Sequence, residues 1–176
     1  MWQKKLADLM PHEANGLRLR RTDERDVDLH LQLYNDSEVR RFVGRPLDLS
    51  RSEALDAVVR RPAGMAGIFV VEDARSGGSV GECGFIGNNY IAQIDTSIML
   101  PPEHQQRGYG ARVLGTLYDI WVNYLRNESC VATVWAHNIK AISLVTSAGF
   151  SQVGEYTDIY EVCHLVYERH RAEPAT

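Results

Sequence analysis

The stretch that decides the fold of this chain is Leu100-Pro101-Pro102-Glu103-His104-Gln105-Gln106-Arg107-Gly108-Tyr109-Gly110-Ala111. The prolines end a predicted strand, and apolar residues at helical spacing begin after Gly108. A helix N-terminus presents unpaired N–H groups and the positive end of its dipole, both of which attract anions. Gly108 and Gly110 allow close approach of the backbone, and Arg107 can donate to phosphate oxygens. The stretch therefore predicts a phosphate-binding loop.

Three kinds of phosphate loop begin a helix in this way. The dinucleotide fingerprint needs a further glycine where Val113 stands, and a P-loop needs Gly-Lys-Ser/Thr, which the sequence lacks. The remaining pattern, Gln/Arg-x-x-Gly-x-Gly/Ala, is matched by Gln105, Gly108 and Gly110. It resembles the pyrophosphate-binding loop of the GNAT acetyltransferases. A simple tight turn between strand and helix is the alternative that the loop alone leaves open.

A second motif supports the same family. Asn138-x-x-Ala141-x-x-Leu144-x-x-x-x-Gly149-Phe150 follows a predicted strand and is similar to the second GNAT signature. It also fits a capped core helix that Gly149 ends, and both interpretations can hold. Glu38–Phe42, Pro46 and the Ser50–Glu53 capping box resemble the front half of the ribosomal-protein and polyamine N-acetyltransferase branch. By these residues the chain is identified as a member of the GNAT superfamily.

Hydrophobic periodicity indicates the same kind of fold along the whole chain. The strands are predicted at Leu17–Arg21, Gly67–Glu72, Val80–Ile86, Ile91–Leu100, Ser129–Trp135, Gln152–Thr157 and Glu161–Glu168, and the helices at 23–35, 50–60, 108–125 and 138–148, with a short turn at 38–42 ended by Gly44 and Pro46. We expect one α/β (α+β) domain over residues 1–176, with residues 1–15 and 170–176 poorly ordered. The resemblance implies the GNAT fold, a mixed, mostly antiparallel sheet of about seven strands with about four helices, splayed between strands four and five.

Composition narrows the class of protein further. The content of 44% hydrophobic and 24% charged residues is ordinary for a globular domain, and no apolar run is long enough to span a membrane. The N-terminus lacks a signal-peptide pattern, so we expect a cytoplasmic protein without a membrane partner. A net charge of −4 disfavours nucleic acid and suits a cationic acceptor, although it also suits solubility alone. Cys83, Cys130 and Cys163 are expected as buried free thiols, and no metal is expected.

The resemblance implies acetyl-CoA as the co-substrate and assigns its contacts. Pantetheine pairs with the backbone of Ile98, Met99 and Leu100, and an N–H near Ile98 polarises the thioester. Asn138 contacts the pantetheine arm or the reacting region. The pyrophosphate loop, beginning at Gln105, offers the N–H groups of Gln106, Arg107, Gly108, Tyr109, Gly110 and Ala111.

The acceptor must attack as a neutral amine, although an alkylamine has a pKa near 10.4 and is protonated at neutral pH. A carboxylate can take the proton directly or through water. Asp95 stands at the strand position where relatives often carry Glu and is the first candidate. Glu82 is the second and His137 the third. A solvated or salt-bridged surface group is the alternative for each.

The proton donor to the departing thiolate is where the sequence differs from the family. Many relatives have Tyr directly after the Leu of the second motif, and here Val145 stands there. A branch with Ser at the Asn+3 position is not matched, because Ala141 occupies it. Either Tyr109 or Tyr156 donates, or the thiolate leaves unprotonated, since a thiol pKa is near 8.5. A non-catalytic acyl-CoA-binding module and, more weakly, a nucleotide-dependent enzyme are the competing functions.

The acceptor pocket is predicted at the first two helices, the loop 42–49 and the final strand pair near Tyr156–Tyr160. Asp48, Asp56, Asp158 and Glu161 are carboxylates that can recognise a polycation there. Polyamines, aminoglycosides, amino acids and protein N-termini stay open as the amine acceptor. Because members of the family often dimerise through a sheet edge, we expect a homodimer.

Overall fold

The computed structural model describes residues 2–42, 48–59 and 67–172. Within these ranges the chain forms one sheet of eight strands in the order β1-β2-β3-β4-β5-β6-β8-β7. The strands are β1 His12–Ala14, β2 Leu17–Arg21, β3 Ile68–Asp73, β4 Ser79–Asn88, β5 Gln93–Met99, β6 Ser129–Trp135, β7 Ser151–Thr157 and β8 Cys163–His170. Neighbouring strands are antiparallel except for the parallel pair β5 and β6.

Six α-helices accompany the sheet in the described ranges. They are α1 Trp2–Leu9, α2 Val27–Asn35, α3 Ser37–Arg40, α4 Arg51–Val59, α5 Tyr109–Tyr118 and α6 Ile139–Ser147. Helix α5 continues as a π-helix through Asp119–Tyr124. The mixed, mostly antiparallel sheet confirms the predicted fold class. Gly44, Pro46, Arg60 and Pro62, which were expected to end helical segments, lie outside the described residues.

Capping interactions set where several of these helices begin. The capping box expected at Ser50 and Glu53 is present, because the Ser50 N–H donates to Glu53 Oε2 at 2.8 Å and the Glu53 N–H donates to Ser50 Oγ at 3.3 Å. Asp23 caps the short 3₁₀ turn that precedes α2. The Asn138 side chain accepts from the Ala141 N–H at 3.1 Å and so starts α6 as predicted.

The sheet has two covered faces, and strand alternation assigns each residue to one of them. The larger core lies on the back face, where Cys83, Phe85, Ile98 and Ala132 pack with the apolar side of α5 and its π-helical extension. The front face carries a second cluster, in which Met99 packs with Leu33 of α2 and with Val39. The register β4–β5 places Glu82, Met99, Ser97 and Asp95 together on this front face.

The structure adds α1 and β1 ahead of the first predicted strand. Leu6 is 1% exposed in the main core, and the Trp2 ring contacts the edges or faces of Phe85 and Trp121, with centroids 6.5 and 5.2 Å away. Sequence periodicity did not indicate α1, because an eight-residue helix that buries one leucine gives too short a pattern. The helix is held by tertiary packing, as most short helices are.

We expect Leu6→Ala to lower the free energy of unfolding by about 2–5 kcal/mol, because it leaves a cavity in a close-packed core. Urea denaturation followed by tryptophan fluorescence measures this. Lys5→Ala is the matched control, because Lys5 is exposed on the same helix and should change stability by less than about 0.5 kcal/mol. A loss for Leu6→Ala no larger than that of the control would show that α1 does not stabilise the core.

The three cysteines are free thiols, and Cys83 and Cys130 are buried as expected. Burial raises the pKa of Cys130 to about 12, with a smaller contribution from the nearby Asp95. The expectation that Cys163 is buried was wrong. Cys163 is partly exposed, because it begins β8 next to the edge strand β7. Among the described residues, no helix combines the length and apolar character that crossing a membrane requires.

Candidate active site

The parallel strands β5 and β6 separate almost as soon as they meet. They are in register at Asp95 and Val131, and Thr96 Oγ1 donates to the Val131 carbonyl at 3.0 Å. Two residues farther along β6, the Thr133 N–H donates to Asp95 Oδ1 at 2.9 Å, so a side chain replaces a strand-to-strand bond. The predicted fourth and fifth strands are β5 and β6 of the structure. The gap predicted between them therefore opens beyond Asp95 and Thr133.

The Asp95 carboxylate lies at the closed end of this gap. Besides the Thr133 N–H it accepts the Thr133 hydroxyl, and Asn88 Nδ2 donates to Oδ2 at 3.3 Å. Asp95 is only 3% exposed. Burial raises the pKa of Asp95 to about 6, and the hydrogen bonds from Thr133, Asn88 and the Thr96 backbone limit that rise.

The backbone of β5 beyond Asp95 faces this gap at every second residue. The Thr96 N–H points to the Asp95 carboxylate, which is itself bonded to Thr133 of β6. Because backbone groups alternate sides along a strand, Ile98 also turns its N–H and C=O toward β6. All residues of β5 stand opposite residues of β4, and the alternate residues Asp95, Ser97 and Met99 turn their backbone groups toward β4. Met99 places its side chain on the front face, and Leu100 follows the strand.

The loop after β5 is shaped by two residues with left-handed backbone. A 3₁₀ turn over Pro102–His104 leads to Gln105, whose side-chain amide donates back to the Leu100 carbonyl at 3.0 Å. Gln106 has φ 57° and Gly108 has φ 80°, which turn the chain into α5. Gln106, Arg107 and Gly108 are exposed.

The N-terminus of α5 is open. Gly108 is its N-cap and no side chain bonds to the cap. The Arg112 N–H is bonded to the Gly108 carbonyl at 3.3 Å, so the N–H groups of Tyr109, Gly110 and Ala111 precede the first intrahelical bond. This arrangement is suited to hold an anion.

Helix α6 lies against the start of α5 through Gly110. A Cβ at Gly110 would come within 3.2 Å of Leu144 Cδ2, so glycine permits this close packing. Val145 is 4% exposed within the main core. The face of α6 that carries Ala141, Val145 and Ala148 therefore offers no proton donor, as the sequence indicated. Ser143 is exposed.

Glu82 is fully buried on the front face and does not share a site with Asp95. His30 Nδ1 of α2 lies 2.9 Å from Glu82 Oε1, and the His30 ring centroid is 4.2 Å from that of Tyr34. Glu82 is opposite Met99, and Asp95 is opposite Ile86. Four residues along a strand correspond to about 13 Å, so the two carboxylates cannot act on one proton. Sequence reasoning missed His30, although its spacing from Val27 on α2 places it on the inward side.

An aromatic column stands beside Asp95 on the front face. The rings of Tyr90 and Tyr156 are stacked at 4.8 Å, and those of Tyr156 and His164 at 4.7 Å. Asn88 Nδ2 donates to Tyr156 Oη at 3.1 Å, and His164 Nε2 is 3.0 Å from Asp158 Oδ2. The predicted Tyr156–Tyr160 segment thus borders the gap.

Thr133 and Asn88 are the two partners of Asp95 that the sequence did not reveal. Side chains alternate between the two faces of β6, and this alternation places Thr133 on the front face. That was the signal in the sequence that could have identified it. The remaining predicted residues lie elsewhere: Tyr109 Oη donates to Asp73 Oδ2 at 3.1 Å, and His137 is exposed in the turn before α6. No group of three potential metal ligands occurs among the described residues.

Residues 16–151 match the family described as the acetyltransferase (GNAT) domain. The match covers more than half of the sequence, and the chain belongs to this family of acetyltransferases. A comparison with curated protein sequences found no match.

Solved structures of the same fold agree with this assignment. A GNAT-family acetyltransferase from Bacillus anthracis has a TM-score of 0.78 at 15% identity, over 90% of this chain and 96% of the other. Spermidine N-acetyltransferase from Vibrio cholerae, solved with CoA and spermine, has a TM-score of 0.74 at 22% identity, over 89% and 96%. Ribosomal-protein-S5-alanine acetyltransferase from Vibrio fischeri has a TM-score of 0.71 at 14% identity, over 90% and 94%.

Proposed function

We propose that this protein is an acetyl-CoA-dependent N-acetyltransferase, in which a primary amine attacks the thioester directly in a ternary complex. The observation that carries the proposal is the gap between β5 and β6, followed within the same chain segment by the open N-terminus of α5. The pantetheine thioester of acetyl-CoA fits along the gap between β5 and β6, and its pyrophosphate fits at the N-terminus of α5.

The pantetheine arm pairs with β5 at Ile98, Met99 and Leu100, in the place that β6 leaves vacant. Its pyrophosphate accepts hydrogen bonds from the loop and first turn, from Gln106 to Ala111. The Ile98 N–H donates to the thioester oxygen as negative charge develops. Gln105 holds the loop against Leu100, and Asn138 lies at the start of α6 beside the arm.

Asp95 is the proton acceptor in this proposal. Its carboxylate is turned toward β6, at the end of the gap where the acetyl group would lie. Glu82 is on the neighbouring strand, faces α2 and is bonded to His30. Glu82 therefore suits a role in shaping the front face better than direct contact with the thioester.

The acceptor is a primary amine that reaches the gap from the front face. Support comes from the Vibrio cholerae spermidine N-acetyltransferase, whose fold this chain shares. Tyr90 is half exposed and can stack on a cationic group. Polyamines, aminoglycosides, amino acids and protein N-termini all carry such an amine.

The test is release of free thiol from acetyl-CoA by the pure protein, with and without a pooled set of polyamines, aminoglycosides, amino acids and short peptides. Amine-dependent release supports the proposal, and dividing the pool identifies the acceptor. Acetyl-CoA binding without release from any pool supports a non-catalytic acyl-CoA-binding module, which the buried Val145 favours.

We further propose that the protein acts in the cytoplasm as a homodimer. The strand β7 supports the second part, because Ser151–Glu155 are exposed and β7 is the last strand of the sheet among the described residues, where another strand can pair. Light scattering at micromolar protein concentration should give twice the 19.8 kDa chain mass. A monomer mass would contradict the dimer and leave the proposed activity untouched.

A further inference from the structure

Thr133 stands between the gap and the buried carboxylate. Its N–H donates to Asp95 Oδ1 at 2.9 Å, and its hydroxyl donates to Asp95 Oδ2. Thr133 is partly exposed, whereas Asp95 is 3% exposed. A substrate in the gap therefore reaches the carboxylate through Thr133.

The surroundings of Thr133 leave its hydroxyl able to accept a second bond. A hydroxyl has one proton and two acceptor positions, and the proton is given to Asp95. Asn88 Nδ2 lies 3.5 Å from Thr133 Oγ1 and 3.3 Å from Asp95 Oδ2, which holds the pair in one orientation. Asn88 occupies one of the two acceptor positions, so the Thr133 hydroxyl can accept one further hydrogen bond.

The usual proton donors are absent from this position. Val145 is aliphatic and buried, and Tyr109 Oη is bonded to Asp73 at the far end of β3. Tyr156 Oη accepts a hydrogen bond from the Asn88 amide at 3.1 Å, and that amide links it to Asp95. The Asp95–Thr133 pair thus lies at the end of the gap, and the Thr133 hydroxyl belongs to its partly exposed member.

We propose, building on the N-acetyltransferase function above, that Thr133 is a catalytic residue whose hydroxyl carries one proton from the attacking amine to Asp95 and then from Asp95 to the departing sulfur. Asp95 then serves first as the general base and, once protonated, as the general acid. This second role is the one that a tyrosine at the position of Val145 would have.

The steps balance. The ammonium first releases one proton to solvent, and the neutral amine forms a C–N bond to the thioester carbon. As its second proton moves to Thr133 Oγ1, the Thr133 proton moves to Asp95 Oδ2. The C–S bond then breaks, and the reverse transfer through Thr133 gives that proton to the sulfur. The products are the amide, the CoA thiol and one proton in solvent, and Asp95 is again ionised.

Thr133→Val and Thr133→Ser test the relay as a matched pair. Valine keeps the shape and the backbone bond to Asp95 but removes the hydroxyl, whereas serine keeps the hydroxyl. We expect Thr133→Val to lower kcat about 100-fold with KM for acetyl-CoA within about threefold, and Thr133→Ser to keep kcat within about fivefold. A kcat for Thr133→Val within threefold of the wild type would overturn the relay.

Tyr156→Phe decides between Thr133 and Tyr156, whose hydroxyl shares the Asn88 amide with Asp95. Phenylalanine retains the ring stacking on Tyr90 and His164 and removes only the hydroxyl. The relay predicts a smaller loss of kcat than for Thr133→Val. A larger loss would assign the proton transfer to Tyr156 and overturn the proposal.

A second measurement does not depend on turnover. The pKa of the Asp95 carboxyl can be followed by ¹³C NMR, with the signal assigned by its loss in Asp95→Asn. Removing the hydroxyl donor should raise this pKa in Thr133→Val and leave it near the wild-type value in Thr133→Ser. An unchanged pKa in Thr133→Val contradicts the relay alone, whereas a wild type that acetylates no amine contradicts the proposed function and the relay with it.

Discussion

Acetyl-CoA binding is expected to weaken by at least about 100-fold when Gly108 is replaced by glutamate, a loss of about 2.7 kcal/mol. Gly108 is the N-cap of α5, and the space around its Cβ position is open. A glutamate there places a negative charge where the pyrophosphate would bind and fills the approach to the N–H groups of the first turn. Isothermal titration calorimetry with acetyl-CoA measures the change.

Gly77→Glu is the matched control for this substitution. Gly77 lies in the β3–β4 turn with φ 70°, close to the 80° of Gly108, and a Cβ there also meets open space. The two variants therefore share the strain of a non-glycine residue with positive φ, on the order of 1 kcal/mol, and the same added charge. Equal affinities in both variants would show that the loop does not bind the cofactor.

Gly108→Asn separates the two effects of the glutamate. Asparagine tolerates the left-handed conformation and carries no charge, so it should retain most of the affinity. A loss of affinity as large as that of Gly108→Glu would assign the effect to backbone conformation. A small loss in Gly108→Asn with a large loss in Gly108→Glu would assign it to charge.

The sequence was sufficient for the part of the fold that local chemistry determines. Pro101, Pro102 and Gly108 place the strand end and helix start through their own backbone preferences, and Asn138 starts α6 through its own cap. These signals act within a few residues. They depend little on the rest of the chain, so the end of β5 and the starts of α5 and α6 were predicted close to their observed positions.

The parts that were missed depend on distant contacts. Helix α1 exists because Trp2 and Leu6 pack against β3, β4 and the extension of α5, which no local pattern reveals. Thr133 is separated from Asp95 by 38 positions, and His30 from Glu82 by 52. Sequence reasoning named the two carboxylates from residue type, but their different partners, and hence their different roles, required the register of the sheet.

Asp95→Asn is expected to lower kcat by about 100- to 10,000-fold, the range for losing a positioned proton acceptor. Asparagine is nearly isosteric and its carbonyl can still accept the Thr133 N–H, so strand pairing should persist. Steady-state kinetics with saturating acetyl-CoA and the acceptor identified by the thiol assay measures the loss. A kcat within tenfold of the wild type would remove Asp95 from the mechanism.

The pH dependence of the wild type tests the same role. Burial raises the pKa of Asp95 to about 6, so the base is protonated below that pH and ionised above it. We expect kcat to rise with pH to a plateau above about pH 7, and the step near pH 6 to disappear in Asp95→Asn. A step that persists in the variant would belong to another group.

Stability should depend on pH in the opposite direction to activity. The pKa of Asp95 is about 6 in the folded protein, above the value of about 3.9 in an unfolded chain. A raised folded pKa contributes stability that is fully present below about pH 4 and is lost as pH rises through 6. Between pH 4 and 7, the free energy of unfolding of the wild type should therefore fall by about 2–3 kcal/mol relative to Asp95→Asn, measured by urea denaturation at each pH. The fold tolerates this cost at neutral pH, where the ionised carboxylate is the form that can accept a proton from the amine.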